Sequence, residues 1–370
     1  MKKILFLIPN LSVGGAEKVL VNLVNNMNKE KFDITVQVLF AGGVNEKFLK
    51  PHIKYKYCYK KMFRGNSKYF CLFKPETLYK KFIKEHYDII VSYLEGPTAR
   101  IVSGCNDKDT KLVSWIHIEQ HNIKVASGSF KNYNEALKCY SRFDKTICVS
   151  RTVKEDFQSI FDLQNPVEVL YNTNESDLII KKANDKISDV TFDNDVYNLV
   201  SVAKIVPSKG YDRLMKIHKK LLDDGIKNHV YILGIGEEQE KYEKYLKDNH
   251  LEDTFTFLGF RDNPYKYVKN ADLYVCSSRR EGFSTAVTEA LIIGTPVVST
   301  NCSGAYELLG DNNEYGIVTE NDEEALYEGI KKILTEENLL QHYKEQAKVR
   351  GQRFSTEKTV KAVEDMFCEL

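Results

Sequence analysis

Short apolar runs alternate with longer amphipathic stretches along the chain. The first run, residues 4–8, ends at Pro9, and a loop with Gly14 and Gly15 leads into apolar positions at helical spacing over residues 19–27. Further short runs occupy residues 32–40, 88–93, 112–116, 146–150 and 167–171. Buried strands that alternate with helices are typical of a parallel sheet covered on both faces, so this part is predicted to be α/β.

The same pattern begins again after a polar stretch. Runs at 198–202, 229–233, 254–258, 273–276 and 296–299 alternate with helical patterns, among them 211–223 and 285–293. We therefore expect two doubly wound, Rossmann-like domains: residues 1–175, a linker at 176–194, residues 195–353, and a terminal helix at 354–370 that could pack back on the first domain. Such sheets bind ligands beyond the carboxyl ends of their strands, so the chemistry is expected in a cleft where the two domains face each other.

Composition and charge narrow the class of protein. The 370 residues are 42% hydrophobic and 28% charged, which favours a globular chain over a disordered one. Fifty-three basic residues against 52 acidic ones give no reason to expect a nucleic-acid partner. The excess of positive charge lies in residues 1–175, with 27 basic and 18 acidic side chains. The first apolar run is too short for a signal peptide or a membrane span, so a cytoplasmic protein is expected.

Two glutamates in the second half suggest a binding site. Glu281 follows a predicted strand, and Glu289 lies eight residues later inside the next predicted helix. If that helix begins near Ser284, its free amides at about 284–287 and its positive dipole end suit phosphate. Glu289, on the same face as Thr285, could accept hydrogen bonds from a ribose diol, and Glu281 from other hydroxyls. This arrangement describes a nucleotide-sugar.

Two lysines upstream could balance the charge of a diphosphate. Lys204 and Lys209 lie on one predicted strand-to-helix loop. Fixed cations can stabilise the charge that grows on a departing diphosphate without a metal ion, and the sequence contains no acidic cluster that suggests one. His117 and His121 lack the HExxH order of zinc proteases, and Gly234 and Gly236 lack the third glycine of a dinucleotide fingerprint.

Together these motifs resemble a known family. The residues that carry the resemblance are Gly14-Gly15-Ala16-Glu17, Ala203-Lys204 with Lys209-Gly210, Leu258-Gly259-Phe260, Glu281-Gly282-Phe283 with Glu289, and Gly294-Thr295-Pro296. They resemble the retaining family-four glycosyltransferases of the GT-B fold, in particular enzymes that build capsule, O-antigen or exopolysaccharide repeats. The resemblance covers nearly the whole chain.

The resemblance implies roles for individual residues. Glu281 would contact hydroxyls of the donor sugar, Glu289 the ribose, and Lys204 and Lys209 the diphosphate, beside the segment Gly282, Phe283, Ser284 and Thr285. The backbone near Phe260 and Arg261 would meet the base, His117 would lie beside the donor sugar, and Gly14 and Gly15 near the phosphates and acceptor. Lys204 stands where the family more often has Arg, and the turn at Gly304 retains one of two expected glycines.

The implied reaction transfers a sugar, with retention of configuration, from a nucleoside diphosphate sugar, expected to be a UDP-sugar, to a glycan hydroxyl. The acceptor is expected to be lipid-linked, and no metal or other cofactor is expected. Two alternatives stay open: a non-hydrolysing sugar-nucleotide epimerase, and a non-catalytic sugar-nucleotide binding protein.

The segment from Lys54 to Tyr87 combines positive charge with aromatic rings. It holds ten Lys or Arg residues against two Glu, with ten Tyr or Phe interleaved. We hypothesise that this segment docks on an anionic membrane, which would make the protein peripheral on the inner face of the cell membrane. The alternative is a solvated region whose rings belong to the core.

Overall fold

The chain forms two units, each built on one parallel sheet. The computed structural model describes residues 1–12 and 14–370. Unit 1 comprises Met1–Asn174 together with Thr356–Leu370, and unit 2 comprises Glu175–Ser355. The prediction of two Rossmann-like α/β domains is confirmed, since all strand pairings within the described residues are parallel.

Unit 1 contains a seven-stranded sheet. Its strands are β1 Lys2–Ile8, β2 Phe32–Phe40, β3 Lys54–Tyr59, β4 Ile89–Ser92, β5 Lys111–Ile116, β6 Lys145–Cys148 and β7 Val167–Val169. Their order is β3-β2-β1-β4-β5-β6-β7, so the direction of winding reverses between β1 and β4. The apolar run of β1 is buried on both faces because helices cover the two sides of the sheet.

Helices follow the strands of unit 1. They are α1 Gly15–Asn26, α2 Asn66–Cys71, α3 Pro75–Phe82, α4 Pro97–Val102, α5 Ile123–Ala126, α6 Tyr133–Tyr140 and α7 Arg151–Ile160, with a 3-10 turn at Glu46–Phe48. Buried Arg100 ties α4 to its neighbours, because its guanidinium donates to Glu135 and to the carbonyls of Phe70 and Phe73.

The segment Lys54–Tyr87 is ordered rather than a simple basic surface. Its first residues are the edge strand β3, which pairs with β2, and α2 and α3 follow. Most of its rings pack on one another and on Phe40 in an aromatic cluster: Tyr59, Phe63, Tyr69, Phe70, Phe73 and Phe82. Phe70 and Phe82 are therefore core residues and the other four rings are half-buried, whereas several of the lysines stay exposed.

Unit 2 contains a six-stranded sheet. Its strands are β8 Tyr197–Val202, β9 Asn228–Leu233, β10 Phe255–Gly259, β11 Leu273–Cys276, β12 Val297–Thr300 and β13 Ile317–Thr319, in the order β10-β9-β8-β11-β12-β13. Its helices are α8 Ser176–Ala183, α9 Tyr211–Asp223, α10 Gln239–Asp248, α11 Tyr265–Asn270, α12 Thr285–Ile293, α13 Ala305–Leu309, α14 Glu323–Thr335 and α15 Leu339–Gly351, with 3-10 turns at Pro207–Lys209 and Gln352–Phe354.

The stretch 176–194, predicted as a linker, lies within unit 2. Helix α8 lies in it, and Asn263 just before α11 donates hydrogen bonds to the Lys182 carbonyl and to Asp185. Its polar composition reflects a solvent-exposed helix and loop of unit 2 and not a flexible linker.

The last helix, α16 Thr356–Glu369, is part of unit 1. Its Phe367 ring meets Phe6 and Phe32 edge-on, with ring centroids 5.9 and 6.3 Å apart, and Lys2 Nζ donates to the Phe367 carbonyl at 2.8 Å. Among the described residues, no helix combines the length and the apolar character that a membrane span requires.

Candidate active site

The winding of the unit 2 sheet reverses between β8 and β11, which are neighbours. Loops 203–210 and 277–284 leave the carboxyl ends of these two strands, and they carry Lys204, Lys209 and Glu281. Parallel sheets of this kind bind ligands at such a switch point. The fold therefore brings the predicted cations and the first predicted carboxylate to the position where a ligand is expected.

Lys209 and Glu281 contact each other directly. Lys209 Nζ lies 2.7 Å from Glu281 Oε1, and the two side chains are 22% and 15% exposed. The Ser278 hydroxyl donates to the same carboxylate oxygen at 2.6 Å. Sequence reasoning selected the lysine and the glutamate but not the serine.

A network of arginines clamps loop 203–210 onto loop 277–284. Gly210 has φ +67°, and a Cβ there would lie 2.1 Å from the Ser277 carbonyl oxygen, so only glycine fits. Buried Arg213 donates to that same carbonyl at 2.9 Å through Nε. Arg279 forms two hydrogen bonds of 2.7 Å with Asp212, which lower the pKa of that carboxyl.

Neither arginine was selected from the sequence. The available signal was weak, since Arg213 is a single charge on the apolar face of α9. The clamp explains how Lys209 reaches Glu281 from a different loop.

Helix α12 begins where the sequence predicts it. Ser284 is its N-cap, and its hydroxyl accepts from the Val287 amide at 3.3 Å. The Val287 amide is thus already engaged, which corrects the expectation of free amides through 287. The amides of Thr285 and Ala286 lie in the first turn, where helix geometry supplies no carbonyl partner, and the positive end of the helix dipole is there.

Gly282 and Phe283 precede this helix. The Phe283 ring is 7% exposed, lies 6.0 Å from the Phe354 ring, and fills the space beside Gly304, where a Cβ would come within 2.7 Å of it. A ligand at this loop would therefore meet the main chain of Phe283 rather than its side chain.

Glu289 lies on the buried side of α12. It is 9% exposed, and its Oε1 accepts a hydrogen bond from the Tyr265 hydroxyl at 3.1 Å. Tyr265, at the start of α11, was not identified from the sequence, because a tyrosine before an apolar helix face reads as a core residue. Its hydroxyl orients the carboxylate.

Phe260 and Arg261 follow β10. The Phe260 ring is 65% exposed, whereas Arg261 Nε lies 3.0 Å from Asp189 Oδ2 in the stretch predicted as a linker. The side chain of Arg261 thus holds that stretch in place, and a base approaching here would meet the Phe260 ring and the main chain.

Lys204 is exposed at the end of β8. The adjacent turn explains the glycine pair at 234 and 236: a Cβ on Gly234 would lie 1.9 Å from the Ala203 carbonyl oxygen, and one on Gly236 2.1 Å from that of Ile205. These glycines therefore allow close packing of two loops, which fits the absence of a dinucleotide fingerprint.

Three predicted residues lie in unit 1 at the carboxyl edge of its sheet. Gly14 is the N-cap of α1, and a Cβ on Gly15 would face open space, so a ligand can approach the main chain closely. His117 directly follows β5. The predicted run at 112–116 is the fourth in the sequence, and it becomes the fifth strand because edge strand β3 was not predicted.

His117 is buried beside a carboxyl group. Its ring centroid lies 4.8 Å from that of Tyr93, its Nε2 has no hydrogen-bond partner among the described residues, and burial lowers its pKa to about 3. Its main-chain amide donates to Glu95 at 3.0 Å, and burial raises the pKa of Glu95 to about 7. The imidazole is therefore neutral at pH 7, and its Nε2 is buried.

The described residues contain no cluster of three or more His, Cys, Asp or Glu side chains that could hold a metal ion. A cavity of about 630 Å³ opens beside Tyr197, Asp272 and Pro296, at the amino ends of β8, β11 and β12. It lies at the edge of the sheet opposite to Glu281 and does not belong to the candidate site.

Comparisons with known proteins agree with this geometry. Residues 13–173 match the model of the family described as Glycosyltransferase Family 4, and residues 183–350 match that of Glycosyl transferases group 1. The two matches together cover most of the chain.

Individual relatives match over nearly their whole length. The chain is 26% identical over 370 residues to the N-acetylgalactosamine-N,N'-diacetylbacillosaminyl-diphospho-undecaprenol 4-alpha-N-acetylgalactosaminyltransferase of Campylobacter jejuni, covering 96% of each protein. The crystal structure of Anabaena Alr3699/HepE in complex with UDP superposes with a TM-score of 0.75 at 19% identity, over 100% of both chains. That of a mutant of S. aureus TarM with Fondaparinux, alpha-GlcNAc-glycerol and UDP gives 0.70 at 15% identity, over 99% of this chain and 100% of the other. The chain therefore belongs to the family-four glycosyltransferases of the GT-B fold.

Proposed function

We propose that the protein transfers a sugar from a UDP-sugar to a hydroxyl of a lipid-linked glycan, with retention of configuration, in the synthesis of a bacterial surface polysaccharide. The observation that carries the proposal is the contact between Lys209 and Glu281 at the switch point of unit 2, beside the first turn of α12. A cation and free amides suit a diphosphate, and a carboxylate suits the hydroxyls of a sugar.

The charged residues of the unit 2 site have these parts in the proposal. The diphosphate lies at the first turn of α12 and against Lys209 and Lys204, which stabilise the negative charge that develops as the sugar–phosphate bond breaks. Glu289, oriented by Tyr265, accepts hydrogen bonds from the ribose diol. Glu281 accepts them from the donor sugar, and the leaving phosphate oxygen takes the proton of the acceptor hydroxyl. Because protein groups supply the positive charge, the reaction needs no metal ion.

Two kinds of relative support the substrate classes. The name of the Campylobacter jejuni relative specifies an α-linked product on a diphospho-undecaprenol carrier, and both structural relatives were crystallised with UDP. If the donor sugar is α-linked to its diphosphate, an α-linked product means retention.

Membrane docking is part of the same proposal. Lys60, Lys61 and Lys80 are exposed, and Met62 and Leu72 in the same segment are 58% and 76% exposed. Cations and exposed apolar side chains in one segment suit an anionic bilayer surface, where a lipid-linked acceptor would be found. We place the protein in the cytoplasm, on the inner face of the membrane.

The proposal is tested with a panel of UDP-, GDP- and dTDP-sugars. Release of nucleoside diphosphate is followed in the presence of EDTA, with and without a membrane lipid extract. We expect release from a UDP-sugar that increases with the extract, and a glycolipid product whose anomeric proton shows the configuration of the donor. Glu281→Ala should reduce transfer at least about 100-fold without unfolding the chain.

Other outcomes contradict the proposal. Conversion of the donor into an isomeric sugar nucleotide without any acceptor would identify an epimerase. Donor binding without turnover in every extract would identify a binding protein. A rate that EDTA abolishes and Mg²⁺ restores would overturn the metal-independent mechanism.

A further inference from the structure

Ser278 is a buried hydroxyl at the centre of the candidate site. It lies two residues after β11, is 3% exposed, and donates to Glu281 Oε1 at 2.6 Å. Its own main chain is held in turn, because the hydroxyl of fully buried Thr300 donates to the Ser278 carbonyl at 2.6 Å. The main chain of Ser278 is thus held in place, and its hydroxyl holds the Glu281 carboxylate by a hydrogen bond.

The two oxygens of the Glu281 carboxylate are in different situations. Oε1 accepts from both Ser278 and Lys209, at 2.6 and 2.7 Å, which occupies both of its lone pairs. Oε2 is therefore the oxygen with the capacity to accept hydrogen bonds from a ligand. Which way it points depends on the two donors that hold Oε1.

One of these donors is also needed by the donor substrate. In the proposed function the Lys209 ammonium is a ligand for the diphosphate, whose two negative charges compete for it with the single charge of Glu281. When Lys209 turns toward the diphosphate, the bond to Ser278 remains as the constraint on Glu281.

We infer that Ser278 is a positioning residue, which keeps the Glu281 carboxylate directed at the hydroxyls of the donor sugar while Lys209 binds the diphosphate. The inference rests on the proposed function, and it assigns to Ser278 a role in recognising the sugar but not the nucleotide.

The test compares binding of UDP and of the UDP-sugar that the donor panel identifies. Ser278→Ala should leave the Kd for UDP within about twofold and weaken UDP-sugar binding and kcat/KM by about 10- to 100-fold, the range for losing a hydrogen bond to a charged group. Ser299→Ala is the matched control, since Ser299 is also a buried serine at this edge of the sheet and its hydroxyl donates to the Thr300 carbonyl.

A double-mutant cycle separates positioning from a general structural role. In the Glu281→Ala background, Ser278→Ala should change UDP-sugar affinity by less than about twofold, because the group that it positions is gone. If Ser278→Ala does not fold, Ser278→Cys, of similar size and with a weaker donor, replaces it in both backgrounds. Its thermal unfolding is compared with that of the wild type.

Four results would overturn the inference. Equal kcat/KM values for Ser278→Ala and Ser299→Ala would show that the Ser278 hydroxyl does not contribute to sugar recognition. An equal loss of UDP and UDP-sugar binding, or an undiminished effect without Glu281, would show a general structural role. A wild-type chain that binds no sugar nucleotide would overturn the proposed function and this assignment with it, whereas the first three leave the proposed function intact.

Discussion

Lys209 has two uses for one ammonium group. In the structure it forms an ion pair with Glu281, and in the proposed reaction it stabilises the charge of a diphosphate. The pair is partly exposed, so its contribution to the stability of the fold is small, roughly 0–1 kcal/mol for pairs that reach solvent. Its position is therefore better explained by ligand binding than by stability.

We expect Lys209→Met to lower the rate of transfer by about 100-fold or more, because fixed donors at a developing anion commonly contribute that much. Initial rates with the identified UDP-sugar measure the loss, and thermal unfolding should change by only a few degrees. Lys216→Met is the control: Lys216 is a surface lysine of the same unit, paired with Glu323. Equal rates for the two variants would refute the role of Lys209.

Glu95 should make stability depend on pH. Burial raises its pKa from 4.5 to about 7, so between these values the folded chain holds a proton that the unfolded chain releases. The contribution of Glu95 therefore favours folding at low pH and is lost as the pH rises toward 7 and above. Glu95→Gln cannot titrate, yet its amide oxygen can still accept from the His117 amide.

The measurement is the free energy of unfolding of both proteins in denaturant between about pH 5 and 8. The free energy of unfolding of Glu95→Gln minus that of the wild type should increase by roughly 1–3 kcal/mol from pH 5 to pH 8. Neighbouring His117, with its pKa lowered from 6.5 to about 3, works in the opposite direction below pH 6.5, but it is present in both proteins and cancels in the difference. Glu30→Gln, an exposed carboxyl of the same unit, controls for the loss of one charge. A constant difference would show that Glu95 is ionised throughout.

The sequence could suggest Lys209, Glu281 and Glu289 because strand ends and helix starts place them by spacing alone. Ser278 and Tyr265 could not be found that way. A serine in a loop and a tyrosine on an apolar face have common structural roles, and their hydrogen bonds depend on the path of loop 277–284 and on the packing of α11 against α12.

Several contacts together hold loops 203–210 and 277–284 against each other. Gly210 ends the 3-10 turn after β8 and begins α9, and its left-handed conformation lets the chain pass against the Ser277 carbonyl. The clamp by Arg213 and Arg279 acts at the same place, so the whole loop pair should respond to a change there.

Gly210→Ala should therefore destabilise unit 2 by at least about 2 kcal/mol, through a positive φ and a contact of 2.1 Å with main chain. Gly225→Ala is a matched control, since Gly225 has φ +80° and nothing within 4 Å of an added Cβ, so that only the conformational cost of about 1 kcal/mol applies. Denaturant unfolding and UDP affinity are measured for both. Equal losses in stability would show that the close approach to Ser277 is not constraining.

Strands with an apolar run of four or more residues were predicted, whereas edge strand β3, the fully buried but three-residue strand β13 and helix α8 were not. β1 and β11 are apolar runs buried on both faces. β3 is an edge strand whose alternating Lys and Tyr residues read as a basic surface, and α8 is a short helix in a polar stretch. Both depend on tertiary contacts: β3 pairs with β2, and α8 packs on α11 and α12.

Charge is divided between the two units of the molecule. Unit 1 carries 29 basic and 21 acidic side chains, net +8, and unit 2 carries 24 and 31, net −7. Attraction to an anionic bilayer is therefore expected from unit 1, and the exposed lysines of Lys54–Tyr87 supply its most concentrated part. Lys81 is a special case, because its ammonium donates to the Tyr59 hydroxyl and lies 5.4 Å from the Phe82 ring centroid.

Neutralising Lys60, Lys61 and Lys80 together should weaken binding to liposomes that contain anionic lipid about 100-fold, since each lysine near such a surface contributes about 1 kcal/mol. Lys81 is left unchanged because replacing it would also disturb the aromatic cluster. Flotation of the full chain measures the partition, and added salt should release the wild type as it screens the attraction. The control neutralises Lys241, Lys244 and Lys247 on α10 of unit 2, which removes the same charge from the whole molecule. If both triple variants lose binding to the same extent, net charge rather than this segment directs the protein to the membrane. If neither loses binding, these lysines do not bind the membrane. Either result refutes the docking proposal.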